Sequence, residues 1–259
     1  MSSSFTTDNL QALAEYPFKD PEWKQKLLIG GLLLFAGYII PFIPMIFVYG
    51  YVAQIMHRII VEQGAPFLPA WDDWGRLFSD GLKIVGVTFI YSLPAIIFVC
   101  GGYAFFFGSA VFIEIMTNSG GGGDTLAPLI PLVSMAIFFG GFSLGMLSLL
   151  VAILVMPVAV GHLIATGEFN AAFRVREYWP IFRANMAGFL ISYVLLFGLF
   201  MLLSFVMNIF YFTIILCCFV PFISAAISIY MMIIGSVLFA EAYRDGVQTL
   251  QSEATPLPS

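Results

Sequence analysis

Charge is what this sequence has least of. Its ten Lys and Arg and fifteen Asp and Glu residues amount to 10% of 259 positions, while 61% are hydrophobic. An average soluble domain carries roughly 25% charged residues. A chain this poor in charge cannot cover its own surface in water, so the composition predicts an all-α integral membrane helical bundle. The net charge of -5 forms no patch, and no basic stripe suggests nucleic acid. Cysteine is scarce too: Cys100, Cys217 and Cys218 lie inside apolar runs with no CxxC or Cys/His metal spacing, and read as small buried hydrophobes. Residues 1–17 lack the basic start and apolar middle of a cleavable signal, so the first membrane segment is expected to serve as its own uncleaved signal.

What the chain does have is long apolar runs separated by short polar segments. The segment at 66–83, PFLPAWDDWGRLFSDGLK, organises the rest. If it is helical from Phe67, then Phe67, Trp71, Trp74 and Phe78 form one apolar stripe, with Asp72, Asp73, Arg76, Ser79 and Asp80 mostly elsewhere. That pattern predicts an amphipathic helix in the membrane interface, an elbow that delivers the chain into the bilayer. Its indole N–H groups would stay wet, and Arg76 and Lys83 would reach the headgroups.

Taken in order, residues 1–9 read as mobile and 10–18 as a short amphipathic helix, and Asp20-Pro21-Glu22 is a good helix start. Residues 24–60 are nearly continuous in hydrophobicity. As one helix they would reach about 55 Å against a hydrocarbon core of about 30 Å. The interruption Pro41-Phe42-Ile43-Pro44 predicts two short helices instead, roughly 24–40 and 45–61, thin or partly re-entrant as a hairpin. Further spans are expected at 81–116, 128–165, 184–208 and 212–240, with a Gly-rich loop over 117–127 and a second elbow over 167–183. The first two of these exceed what a bilayer requires, and Pro94 and Pro157 offer kinks.

An acid near a Trp, with bases close by, precedes an apolar hairpin three times: Glu22-Trp23-Lys24, Asp73-Trp74-Gly75-Arg76, and Glu177-Tyr178-Trp179 before Arg183. This predicts about six spans in three elbow-plus-hairpin units, 8–62, 64–165 and 167–243, with 244–259 a disordered tail. With six spans, all ten Lys and Arg fall on one side with both termini. The positive-inside rule places that side in the cytoplasm.

The residues Tyr16-Pro17, Asp20-Pro21-Glu22-Trp23, Ile29-Gly30-Gly31-Leu32, Gly50-Tyr51, Leu68-Pro69-Ala70-Trp71-Asp72-Asp73-Trp74 and Phe78-Ser79-Asp80-Gly81-Leu82-Lys83 together resemble a family of bacterial and archaeal membrane proteins catalogued only as a domain of unknown function. The resemblance is concentrated over residues 16–100. It implies the inner (plasma) membrane of a prokaryote and supplies no catalytic residues. The hairpin-and-elbow layout is also similar, more distantly, to the membrane domain beside some glycerophosphodiester phosphodiesterases, whose activity is not carried over.

The elbow anchors Trp23, Trp71, Asp72, Asp73, Trp74, Arg76 and Trp179 read as interfacial supports or as docking points for a partner or a lipid headgroup. Glu114 is the only carboxylate inside the spans, near the outer end of the third, where it can reach water; Asn208 sits at the outer end of the fifth. His57 and His162, at the cytoplasmic ends of the second and fourth spans, could together bind a metal or ligate a pigment or haem, but read better as interfacial residues paired with a backbone carbonyl or water. Gly141 and Gly145 match GxxxG, for packing within the chain or between copies. No carboxylate pair, proton-relay series or nucleophile with a base is in view. The expected function is therefore non-enzymatic and without cofactor: an accessory or scaffold subunit with a protein partner in a membrane complex, or an organiser of membrane lipids. The alternative is a transporter or permease for a small apolar or amphipathic solute, for which the prolines Pro94 and Pro157 speak.

Overall fold

The computed structural model describes residues 13, 15–118, 129–211 and 219–254, and every regular element among them is helical. The helices are α1 (Trp23–Ala36), α2 (Ile43–Ile60), α3 (Trp74–Asn118), α4 (Leu129–Thr166), α5 (Val175–Ala184), α6 (Met186–Tyr211) and α7 (Val220–Ala254). Short 3-10 turns at Tyr16–Lys19 and Phe169–Phe173 lead into α1 and α5. Of the expected helix over 10–18, residues 10–12 and 14 lie outside the described part and the chain from Tyr16 forms the 3-10 turn instead; most of the Gly-rich loop also lies outside it.

Among the described residues five helices, α2, α3, α4, α6 and α7, are long and apolar enough to cross a membrane. The expected first span is α1, which has only 14 residues. It reaches about 21 Å, short of a hydrocarbon core of about 30 Å. The run over 24–60 is broken as its prolines predict. Residues 37–42 turn the chain, Phe42 takes a positive φ of 72°, and Pro44 stands at the start of α2, where its missing N–H costs nothing.

The C-terminal part departs from expectation. Instead of a disordered tail from residue 244, α7 continues as helix to Ala254. Tertiary contact overrides the polar composition: a Cβ on Gly246 would meet the Ile181 carbonyl of α5 at 2.7 Å, Asn185 Nδ2 donates to the Ala242 carbonyl at 2.9 Å, and Gln248 Nε2 donates to Gln63 Oε1 at 3.2 Å. Residues 255–259 lie outside the described part.

The chain divides into two compact units, one of residues up to Val87 and from Pro157 onward, the other of Thr88–Met156; α3 and α4 contribute to both. In the first unit α7 is the hub, packed against α1, α2, α5 and α6. Its Ile229, Ile233, Val237 and Ala240 recur at helical spacing and are almost fully buried, as are Val48, Tyr51, Ile55 and Ile59 of α2. Where α2 crosses α3, glycine faces glycine: a Cβ on Gly50 would lie 1.9 Å from the Leu77 carbonyl oxygen, and one on Gly81 would lie 1.8 Å from the Ile46 carbonyl oxygen. Between helices in lipid such close packing, rather than hydrophobic burial, supplies most of the association.

The second unit is a helix pair built on small residues. Gly102 meets Gly141, and a Cβ on Gly145 would press Val99 at 2.5 Å. The GxxxG pair thus packs within the chain. Tyr103 meets Phe138 edge-on at 4.9 Å, and the outer faces expose Phe105, Phe107, Phe112, Leu132 and Leu147. A cavity of about 350 Å³ lies among Tyr91, Pro94, Leu147, Ser148, Val151, Ala152 and Val155.

Candidate functional site

The Trp-rich segment is not a helix from Phe67. Residues 63–73 carry no helix, and α3 begins at Trp74. Pro66 and Pro69 disfavour helical backbone around them, and the carbonyls here are claimed by side chains from α1 and the 3-10 turn before it. Tyr16 Oη donates to the Phe67 carbonyl at 3.1 Å, and Lys26 Nζ donates to the Leu68 carbonyl at 2.9 Å. The stripe therefore splits, with only Trp74 and Phe78 sharing a helix.

The two central indoles also differ in role. Trp71 stacks on Tyr51 at 4.2 Å with an interplanar angle of 6°, and its Nε1 donates to the Lys26 carbonyl at 3.0 Å rather than to water. Trp74 is exposed and meets Phe47 edge-on at 5.4 Å. Lys26 completes the staple by pairing with Asp20 at 2.8 Å. Burial pushes the Asp20 carboxyl up, but the Lys26 hydrogen bond, the Glu22 backbone N–H and the Lys26 charge outweigh it and hold it below the usual carboxylate range. Burial, and then the charge of Asp20, push the Tyr16 hydroxyl up, so it remains a donor.

The two acids divide their work. Asp72 Oδ1 accepts the Asp73 N–H at 2.9 Å, and Asp73 Oδ1 accepts the Arg76 N–H at 3.0 Å, which makes Asp73 the N-cap of α3. Such a cap is worth about 1 kcal/mol. At the other anchors, Trp23 meets Phe18 edge-on at 4.9 Å, while the exposed Trp179 lies against Phe182 at 5.4 Å with the Arg183 guanidinium 5.8 Å from its ring centre.

Beyond its cap, α3 has three faces. Leu77, Gly81 and Ile84 are buried, while Trp74, Phe78 and Leu82 are exposed. Arg76, Ser79, Asp80 and Lys83 line a cleft of about 420 Å³, closed by Ala53, His57 and Val61 of the α2 end and by residues 163–167 at the α4 end. Asp80 stands between two cations without closely engaging either: Arg76 Nε is 3.6 Å and Lys83 Nζ 3.5 Å from its carboxylate. His57 Nδ1 is 3.5 Å from Glu62, which also takes a close ion pair from Arg58. The Arg58 hydrogen bond, opposed by burial and aided by the charges of Arg58 and His57, holds the Glu62 carboxyl below the usual range.

His162 is not paired with a carbonyl or water. It is buried, with Nδ1 2.8 Å from the Tyr243 hydroxyl and Nε2 3.1 Å from Glu177 Oε2. The pairing is satisfied when Tyr243 donates to Nδ1 and Nε2–H donates to the carboxylate. Both ring nitrogens are thus engaged within the chain, tying α4 to α5 and α7. His57 belongs to the cleft and shares none of these partners. Glu114 is exposed on α3 in the second unit, and Asn208 Nδ2 donates to the Ser204 carbonyl at 2.8 Å.

The His162 hydrogen bond, opposed by burial and aided by Arg174, holds the Glu177 carboxyl below the usual range. Its stabilisation is in place above the unfolded carboxylate value of about 4.3 and is lost as pH falls through the lower folded value. Thermal melts in detergent should therefore lose stability below about pH 4, and Glu177→Gln should flatten that loss. An unchanged acid limb in the variant would remove Glu177 from the account.

Tyr243, Glu177 and Asp80 were not singled out as site residues from sequence. Glu177 was visible within the acid-Trp repeat, whereas nothing local marks Tyr243, which lies 81 residues from His162. Among known proteins, the family described as "Protein of unknown function (DUF4013)" matches residues 33–212. No curated protein and no solved structure matches the chain.

Proposed function

The chain belongs to this family of unknown function, and we propose that it is a non-enzymatic multi-pass membrane protein that acts by engaging lipid at the cytoplasmic face of a prokaryotic inner membrane. The observation that carries the reading is the pair of faces on the first turns of α3. Trp74, Phe78 and Leu82 are exposed on one face while Arg76, Asp80 and Lys83 line a cleft beside them. Aromatic side chains and cations at one level are what an interface selects. In this reading α1 is a sixth, short crossing, so that both termini and all ten Lys and Arg lie on the cytoplasmic side. The amphipathic α5, with Trp179 and Arg183 exposed and Tyr178 and Ile181 buried, rests in the same interface. A role as accessory subunit of a membrane complex is compatible with this arrangement, the elbows then serving as docking surfaces.

One observation favours a second reading, transport of a small apolar solute: the largely apolar cavity beside Pro94 in the second unit. Mild-detergent or nanodisc purification, with mass spectrometry of everything retained, separates the readings. Bound phospholipid is the expected result; a stoichiometric protein partner without lipid would make this an accessory subunit, and a retained small solute would favour transport.

A further inference from the structure

We propose that the cleft among α2, α3 and α4 is a binding site for the phosphate of a glycerophospholipid headgroup, with Arg76 and Lys83 as its main donors; this rests on the lipid-engaging reading above. A cleft of about 420 Å³ lies within the roughly 300–1,000 Å³ of small-molecule sites. Its charge favours an anion, because two permanent cations face one carboxylate. Asp80 neutralises them only loosely: at 3.5–3.6 Å both contacts are at or beyond the limit of a hydrogen bond. A guanidinium with five N–H donors and an ammonium with three therefore keep donors to spare. Both approach the same Asp80 carboxylate, so they are close enough to share one tetrahedral oxyanion, the contact that charge-assisted hydrogen bonds serve best. The Ser79 hydroxyl and the His57 ring extend the polar wall.

The neighbouring surface selects a lipid over a dissolved phosphate. On the same turns of α3 that supply the donors, Trp74, Phe78 and Leu82 are 41–50% exposed at steps of four. They form an apolar strip along which acyl chains can lie. Ser79 of the cleft and Leu82 of the strip are three positions apart, so the two faces adjoin.

The test uses the full chain in mild detergent, with thermal stability and native mass spectrometry read during titration with dioleoylphosphatidylglycerol, dioleoylglycerol or inorganic phosphate. Phosphatidylglycerol should stabilise and remain bound, whereas dioleoylglycerol, which lacks the phosphate, should do neither. The double variant Arg76→Gln/Lys83→Gln should need at least tenfold more phosphatidylglycerol for the same shift. Asp80→Asn removes the competing carboxylate and should tighten binding, which keeps the proposal testable if the double variant is poorly folded. Equal stabilisation by inorganic phosphate would reassign the cleft to a soluble anion and overturn the lipid source. Lipid retention unchanged in the double variant and in Asp80→Asn would overturn the cleft while leaving a lipid-engaging protein. Absence of any lipid response would overturn both.

Discussion

Replacing Gly81 with alanine is expected to cost the protein about 3 kcal/mol or more, enough to remove the monodisperse folded species from detergent extracts. The added Cβ would fall 1.8 Å from the Ile46 carbonyl oxygen and 2.8 Å from the Gly50 nitrogen. Both are helical backbone atoms with no flexible end to swing aside. The only relief is to part α2 from α3, which opens the packing around Val48, Leu77 and Ile84 and distorts the cleft wall. Gly50→Ala should behave alike, since its Cβ meets the Leu77 carbonyl at 1.9 Å. Gly101→Ala and Gly140→Ala, where a Cβ meets nothing within 4 Å, serve as controls and should leave size-exclusion and melting profiles unchanged. Normal melting of Gly81→Ala would mean that the glycine crossing is not a close contact in the membrane.

The second large effect is expected at Trp71. Trp71→Ala removes the ring stacked on Tyr51 and the hydrogen bond to the Lys26 carbonyl, and should cost about 3 kcal/mol, the low end for truncating a core aromatic, because the indole is half-buried. Trp71→Phe keeps a ring against Tyr51 and loses only the N–H, so it should recover all but about 1 kcal/mol. Tyr51→Phe makes a sharp companion. Its hydroxyl is the buried side-chain polar atom with no partner among the described residues, so removing it should be neutral or mildly stabilising in thermal melts. If Trp71→Ala melts like the parent protein, the indole is an interfacial ornament and not a staple.

These two sites also show what could be read without coordinates. The membrane class follows from hydropathy because lipid demands apolar helices whatever their neighbours. The break at Pro41 and Pro44 was legible for a local reason, since proline removes a donor and fixes φ. The start of α3 was not. Phe67 and Trp71 happen to continue the helical spacing of Trp74 and Phe78, and the side chains that prevent the helix, Tyr16 and Lys26, lie 51 and 42 residues away from the carbonyls they bind. The same remoteness hid the partners of His162 and the helical end of α7. Gly50 and Gly81 stood among the residues that carry the family resemblance, yet their role emerges only when two backbones meet. The cleft is harder still, because it gathers three segments that are separately unremarkable.

The shortness of α1 bears on the bilayer itself. At about 21 Å, it is some 9 Å shorter than a hydrocarbon core of about 30 Å, while its neighbour α2 has 18 residues and reaches about 27 Å. If α1 crosses, the two leaflets must pucker toward each other around it, at fractions of a kcal/mol per ångström. The bilayer would then carry a dimple around α1, recruiting short-chain or disordered lipids there by elasticity rather than by contact.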